Sequence, residues 1–376
     1  MIFRNIVGTA FYLAALAPVS AQTFPSPAGD LKVETVASGL SHPWSLAFLP
    51  DGRMLVTERP GRMRIVTRDG KLSPPVANVP KVLAVSQGGL LDVVLDRSFA
   101  QNRTIYFCYA EPADGGARTA MARGKLVDEG APRLDDVQVI FQQQGPLSRG
   151  MHFGCRIAQM QDNTLFLTTG EHFTQRDHAQ ALDNHLGKLI RIKPDGSAPA
   201  DNPFVGRARA KPEIYSYGHR NMQGLAINPA SGKIWEQEHG PRGGDEINIP
   251  QPGKNYGWPL VSFGINYDGT PVGTGKSEGP GLEPPVWHWT PSIAPSGMAF
   301  YTGNLFPSWK GSLFNGALAG QMLVRLQLDG EKVVKEERLL QQLGERIRDV
   351  RDGPDGALWL LTDNSAGRIL RVTPAK

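Results

Sequence analysis

Leu46-Ala47-Phe48-Leu49-Pro50-Asp51-Gly52-Arg53-Met54-Leu55-Val56-Thr57 reads as an apolar strand, a tight turn and a second apolar strand. The Asp-Gly pair carries the turn, because glycine tolerates a positive φ there. The pattern returns near the C-terminus as Val350-Arg351-Asp352-Gly353-Pro354-Asp355-Gly356-Ala357-Leu358-Trp359-Leu360-Leu361-Thr362. Intermediate copies start near Leu91, Ile157, Leu225 and Met298. The copies lie roughly 45 to 75 residues apart, as expected of propeller blades with insertions of different length. Six copies predict an all-β, six-bladed β-propeller. A β-helix would need a shorter, stricter period. The alternating segment Leu31-Lys32-Val33-Glu34-Thr35-Val36 is placed to pair into the last blade and close the ring.

Composition agrees. The 376 residues are 40% hydrophobic and 20% charged, which excludes a disordered chain. The 43 Gly and 30 Pro follow no collagen-like period, so they mark turns between short strands. Forty basic against 36 acidic residues give +4, with the two signs interspersed and no basic run, so no nucleic-acid partner is expected.

Residues 1–21 carry one charge, Arg4, then an apolar stretch from Ile6 to Ala17, then Val19-Ser20-Ala21. This matches a signal peptide, and the apolar run is short for a spanning helix. We therefore expect a periplasmic or secreted protein, residues 22–376 forming one propeller domain with no stable membrane insertion. Export permits a disulfide between Cys108 and Cys155. Nothing in the spacing brings the two together, and two separate buried thiols are an equal reading.

In a propeller, chemistry collects in the loops at one mouth of the central channel. Four segments stand out there. Glu238-His239-Gly240-Pro241-Arg242-Gly243-Gly244-Asp245-Glu246 mixes carboxylates with glycines that let carbonyls converge, a donor set for calcium rather than zinc. Arg220-Asn221 follows Gly218-His219, and a permanently charged Arg suits an anionic or carbonyl ligand. His152 precedes a strand, and Glu171 lies at the far end of the same hairpin, where a carboxylate would orient the imidazole. Arg346 and Arg348 alternate on one strand face, as a polyanion would require. Each has a plainer reading: a solvated acidic turn, an inter-blade Arg, a structural His, a solvated strand face. The Trp287-His288-Trp289 run is either a stacking surface or buried core. The chain has no zinc helix motif, no phosphate-binding glycine loop and no Gly-x-Ser-x-Gly elbow.

From about Leu40 to Val372 the chain resembles the soluble quinoprotein sugar dehydrogenases, which use pyrroloquinoline quinone (PQQ). The resemblance rests on several motifs in family order: Ser41-His42-Pro43-Trp44, Gln87-Gly88-Gly89-Leu90-Leu91-Asp92, the His152 segment, Gly187-Lys188-Leu189-Ile190-Arg191-Ile192, Gly218-His219-Arg220-Asn221, and Asp245-Glu246-Ile247-Asn248 with Asn255-Tyr256-Gly257-Trp258-Pro259. It implies a six-bladed propeller that oxidises an aldose sugar at C1 to the lactone. Hydride would pass to PQQ, with His152 as general base beside Glu171, Gln87 on the substrate side, and electrons leaving to an external acceptor. It also implies that calcium and Arg220 polarise the quinone. Arg220, Asn221, Arg346, Arg348 and Trp289 would contact or adjoin the cofactor. Gly240 and Pro241 would offer carbonyls to its calcium, and Glu246 and Tyr256 would hold a second, structural calcium, with Asp245 adjoining.

Two departures from the family pattern stand out. Glu171 replaces an Asp, and Ala319 stands where the family has a Lys on the cofactor. One lost charge-assisted contact is worth on the order of 1.5–3 kcal/mol. Competing readings are a calcium-dependent propeller lactonase and a non-catalytic sugar-binding propeller.

Overall fold

The computed structural model describes residues 21–375. The expected leader, residues 1–21, lies outside the described residues except for Ala21. Two strands open the chain, β1 (Ala21–Phe24) and β2 (Leu31–Leu40). Blade 1 is β3 (Pro43–Phe48), β4 (Met54–Glu58) and β5 (Arg62–Val66). Blade 2 is β6 (Leu90–Leu95), β7 (Thr104–Ala113), β8 (Gly116–Val127) and β9 (Arg133–Gln142). Blade 3 is β10 (Gly154–Gln159), β11 (Leu165–Thr169), β12 (Lys188–Ile192) and β13 (Ile214–Tyr217). Blade 4 is β14 (Met222–Ile227), β15 (Ile234–Glu238), β16 (Asp245–Asn248) and β17 (Trp287–Trp289). Blade 5 is β18 (Pro295–Phe300), β19 (Leu313–Ala317), β20 (Met322–Asp329) and β21 (Lys332–Leu339). Blade 6 is β22 (Ile347–Asp352), β23 (Leu358–Thr362) and β24 (Gly367–Pro374), completed by β2.

The first strand of each sheet touches the first strand of the next, from β3 through β6, β10, β14, β18 and β22 back to β3. The protein is a six-bladed β-propeller. All six repeat starts fall inside these first strands. β2 pairs antiparallel with β24, from Leu31 opposite Pro374 to Leu40 opposite Gly367, so the ring is closed by the N-terminal segment.

The blades pack through apolar clusters between adjacent sheets, such as Leu165, Leu167 and Ile190 of blade 3 against Tyr106, Cys108 and Met121 of blade 2. The axis is different. Six strands converge there with little room, and the side chains that meet are polar. Arg156 donates to Asp349 (2.9 Å) and to the carbonyls of Gln223 (2.7 Å) and Arg348 (3.2 Å). Arg351 bridges Asp349 (2.7 Å), Asp92 (3.1 Å) and Ser45 (2.8 Å). Ser45 donates to Asp92 (2.6 Å). Charges buried this deeply persist only when paired and hydrogen-bonded.

Cys108 of β7 and Cys155 of β10 form a disulfide across the boundary of blades 2 and 3. The bond anchors the strand that begins just after His152. Replacing both cysteines with serine is expected to cost roughly 2–4 kcal/mol in denaturant unfolding, because a loop of this span is no longer closed in the unfolded chain. An unchanged midpoint would show that the strap contributes nothing.

Candidate functional site at the channel mouth

Where the first strands begin, their loops enclose a cavity of about 220 Å³. Among the residues expected at the site, Gln87, Asn221, Arg346 and Arg348 line it. Trp44, Arg59, Gln223, His239, Leu318 and Asp363 line it too, and the reading of the sequence did not assign them.

His152 and Glu171 flank the β10–β11 hairpin, and the fold brings them together. His152 Nδ1 lies 3.0 Å from Glu171 Oε1, both side chains buried. Gly170 permits this approach, since a Cβ there would stand 1.9 Å from the His152 carbonyl oxygen. The His152 N–H donates to Gln87 Oε1 (2.8 Å), and the Glu171 N–H donates to the Arg220 carbonyl (3.0 Å). Burial, then the Arg220 charge, holds the His152 imidazole well below its ordinary pKa. Burial pushes the Glu171 carboxyl up to about 7. The imidazole is therefore neutral and donates from Nδ1 to Glu171, which leaves Nε2 as the bare, basic nitrogen. Phe173 covers the ring edge-on at 5.2 Å. Ser86, His152, Cys155, His172, Phe173 and Ala294 all carry positive φ without being glycine. Such backbone strain, about 1–3 kcal/mol per residue, persists only where packing over-determines it.

Arg346 and Arg348 share one carboxylate. Asp363 Oδ2 accepts from Arg348 (3.1 Å) and Arg346 (3.3 Å), while Oδ1 faces His42 Nδ1 (3.0 Å). Burial works to raise the Asp363 pKa. The Arg348 guanidinium, with His42, Arg59 and Arg346, outweighs it and holds the group ionised. His239 donates from Nε2 to the Pro295 carbonyl (2.7 Å), and burial pushes its pKa down to about 3, so it is a neutral wall. Asn221 Nδ2 and Arg348 Nε are buried without a partner among the described residues.

Arg220 stands behind His239. It donates to the carbonyls of His239 (3.0 Å) and Gly240 (2.8 Å), while its Nε has no partner among the described residues. Trp258 lies under its guanidinium at 5.1 Å. The Pro241 carbonyl accepts no hydrogen bond among the described residues. Glu246 and Tyr256 face a second, smaller cavity of about 60 Å³, shared with Glu278 and Glu283. Burial, then the Glu238 carboxylate, pushes the Glu246 carboxyl well above its usual range. The lining mixes these carboxylates with apolar Val261 and Leu282, and the carboxylates are the donor type a hard divalent cation takes. Beneath the Arg220 loop, His219, Glu236 and Glu238 form a buried cluster that sequence reasoning did not find.

Two expectations need correcting. Asp245 was expected among the metal ligands. Its two oxygens instead accept from the backbone of Gly240 (2.9 Å), Ile293 (2.8 Å) and Ala294 (3.0 Å) and from the Ser292 hydroxyl. That uses its lone pairs and makes it the clamp that joins the Gly240 loop to the mouth. Trp289 was expected beside the cofactor. It lies in the apolar core between blades 4 and 5, with Nε1 donating to Glu336 (2.9 Å).

A family model for glucose/sorbosone dehydrogenases matches residues 40–371. The chain belongs to that family. It is 48% identical to the aldose sugar dehydrogenase YliI of Escherichia coli, covering 97% of this chain and 98% of that one. A crystal structure of a glucose dehydrogenase, 54% identical, superposes with a TM-score of 0.88 over 92% of this chain and 99% of that one. The PQQ-bound form of an aldose sugar dehydrogenase from Streptomyces coelicolor, 29% identical, gives 0.78 over 95% and 99%.

Replacing Asp245 with Ala orphans the buried N–H groups of Gly240 and Ile293. It is expected to lower unfolding free energy by at least about 2 kcal/mol in urea titration, with Asp245→Asn recovering part of the loss.

Proposed function

We propose that the chain is an exported PQQ- and calcium-dependent aldose sugar dehydrogenase that passes its electrons to an external acceptor. The observation that carries the reading is the neutral His152–Glu171 pair beside a cavity walled by guanidinium groups. The wall fits PQQ, a tricarboxylate, because Asn221 Nδ2 and Arg348 Nε are buried donors lacking acceptors. Arg346, Arg348 and Asn221 would hold it, with Arg220 behind and the Gly240 and Pro241 carbonyls toward a calcium ion. The carboxylates around the cavity at Glu246 and Tyr256 offer oxygen donors for a second calcium. Bound PQQ supplies the two-electron acceptor for hydride from sugar C1.

The chain's own part is positional and acid–base. His152 Nε2 takes the proton of the anomeric hydroxyl as C1 becomes the lactone carbon. Glu171 fixes the tautomer and stabilises the imidazolium that forms. Glu171 reaches one methylene further than the Asp of the resembled family, and it still meets Nδ1 at 3.0 Å. Gln87, bonded to the His152 backbone, sits between that base and the cavity. A neutral lactone as substrate gives no reason for a guanidinium-lined mouth, which weighs against a lactonase. Among the described residues no helix is long and apolar enough to cross a membrane. Cleavage after Ala21 would leave Gln22, Thr23 and Phe24 paired to β2.

Reconstitution tests the reading. The purified chain, loaded with calcium and PQQ, should reduce a dye acceptor with aldoses. His152→Ala should lower kcat/KM roughly 10²- to 10⁴-fold, the usual contribution of general-base catalysis. Absence of PQQ-dependent turnover across a panel of aldoses would sink it. The pH profile is a second check. Below about 7 the Glu171 carboxyl takes a proton and loses the charge that stabilises the imidazolium, so kcat/KM should fall on the acid side. Glu171→Gln should be slow and lack that limb.

A further inference from the structure

We propose that Arg59, on the rim of blade 1, is the free cation that binds a carboxylate of the anionic ligand in the mouth. Three guanidinium groups line the cavity, those of Arg59, Arg346 and Arg348, against the single carboxylate of Asp363. Two of the three are committed internally. Arg346 holds the Leu318 carbonyl (3.1 Å) and Asp363, and Arg348 holds Gln223 (3.2 Å), Ser296 (3.1 Å) and Asp363. The Arg59 guanidinium has no hydrogen bond or ion pair among the described residues. The acids around it are spent. Glu58 accepts from the Ser41 N–H (2.6 Å) and from Arg62 (2.8 Å) and Arg64 (3.1 Å). Asp363 already serves Arg346, Arg348 and His42.

Arg59 is nevertheless built in. Its N–H donates to the His42 carbonyl (3.0 Å), and its own carbonyl accepts from the Leu90 N–H (3.0 Å). Gly89 makes room for it. A Cβ on Gly89 would stand 2.0 Å from the Arg59 carbonyl oxygen and 2.6 Å from its Cγ. The Arg59 charge is felt by both Asp363 and Arg348. A third guanidinium held against two others, with one carboxylate among them, is unfavourable until an outside anion completes the set.

Blade 5 offers no basic group on its side. Leu318 lines the cavity, and the next residue on the rim is the exposed Ala319. Blade 6 lies between blades 5 and 1, so Arg59 flanks the Arg346–Arg348 pair from the side opposite Ala319. The anion-binding charge is thus displaced toward blade 1. The identity of the ligand rests on the PQQ reading, but the assignment of Arg59 as an anion contact does not.

The test is equilibrium binding to the calcium-loaded chain, followed by dialysis and by quenching of tryptophan fluorescence, since Trp44 lines the cavity. The probes are PQQ and 1,2,4-benzenetricarboxylate, an aromatic tricarboxylate without a quinone. Arg59→Gln should weaken binding roughly tenfold to a hundredfold, the worth of a charge-assisted contact. It should also reduce the salt dependence of Kd and leave the thermal midpoint of the ligand-free chain unchanged or raised. Arg59→Lys should keep most of the affinity. Equal binding by wild type and Arg59→Gln, or equal losses in the Gln and Lys variants, overturns the assignment. Wild type that takes the tricarboxylate but not PQQ overturns the quinone reading alone, and the Arg59 variants then decide this inference on the tricarboxylate. Wild type that binds neither overturns both.

Discussion

The Arg156 guanidinium is the constraint on which the mouth depends. It is 2% exposed, lies 4.0 Å over the Trp44 ring, and binds blades 4 and 6 from blade 3. Through it the positions of Trp44, Gln223 and Arg348 are set together. Those three residues form the cavity floor. A propeller axis filled by apolar side chains would hold the ring closed but let neighbouring blades slide. Directional bonds from one planar fork fix their register. Removing Asp349 or Asp92 would strand buried charge, so the network is all or nothing.

Above that floor the mouth divides its labour by electrostatics. On the blade 3 side burial keeps His152 neutral and Glu171 poised near neutrality. On the blade 6 side guanidinium groups keep Asp363 ionised. The base lies beside the Arg346–Arg348 wall rather than within it, so Arg220 is the cation that opposes protonation of the imidazole. Asp245 links this arrangement to the Gly240 loop.

Much of the fold was legible because a strand–turn–strand unit repeats in residue chemistry. Leu46, Leu91, Ile157, Leu225, Met298 and Val350 each mark an innermost strand. The unequal spacing comes from insertions such as residues 249–286, between β16 and β17. At the site, His152 and Glu171 were legible because hairpin ends meet. Arg59, His239 and Asp363 were not, although one rule finds them. Each directly follows the second strand of its blade, after Glu58, Glu238 and Thr362, as Leu318 follows Ala317. Trp289 misled because a three-residue strand gives no alternation to show which way an indole faces. Asp245 misled because a carboxylate's partners, here the Ser292–Ala294 turn, are distant in sequence. Whether Cys108 and Cys155 pair depends on two blades meeting, which the spacing does not encode.

The seam of the ring has a consequence for assembly. β2 is made well before its partner β24, with blades 1 to 5 between them. Contacts so distant along the chain are slow to form. Until then Leu31, Val33 and Leu40 wait on an unpaired edge, the kind of template that recruits stray strands. Lys32 and Glu34 alternate with them and make that edge a poor one for other chains. The mouth straddles the same seam, with Arg59 on one bank and Asp363 on the other. An unclosed ring therefore has no anion pocket, and ligand capture is confined to molecules that have finished folding.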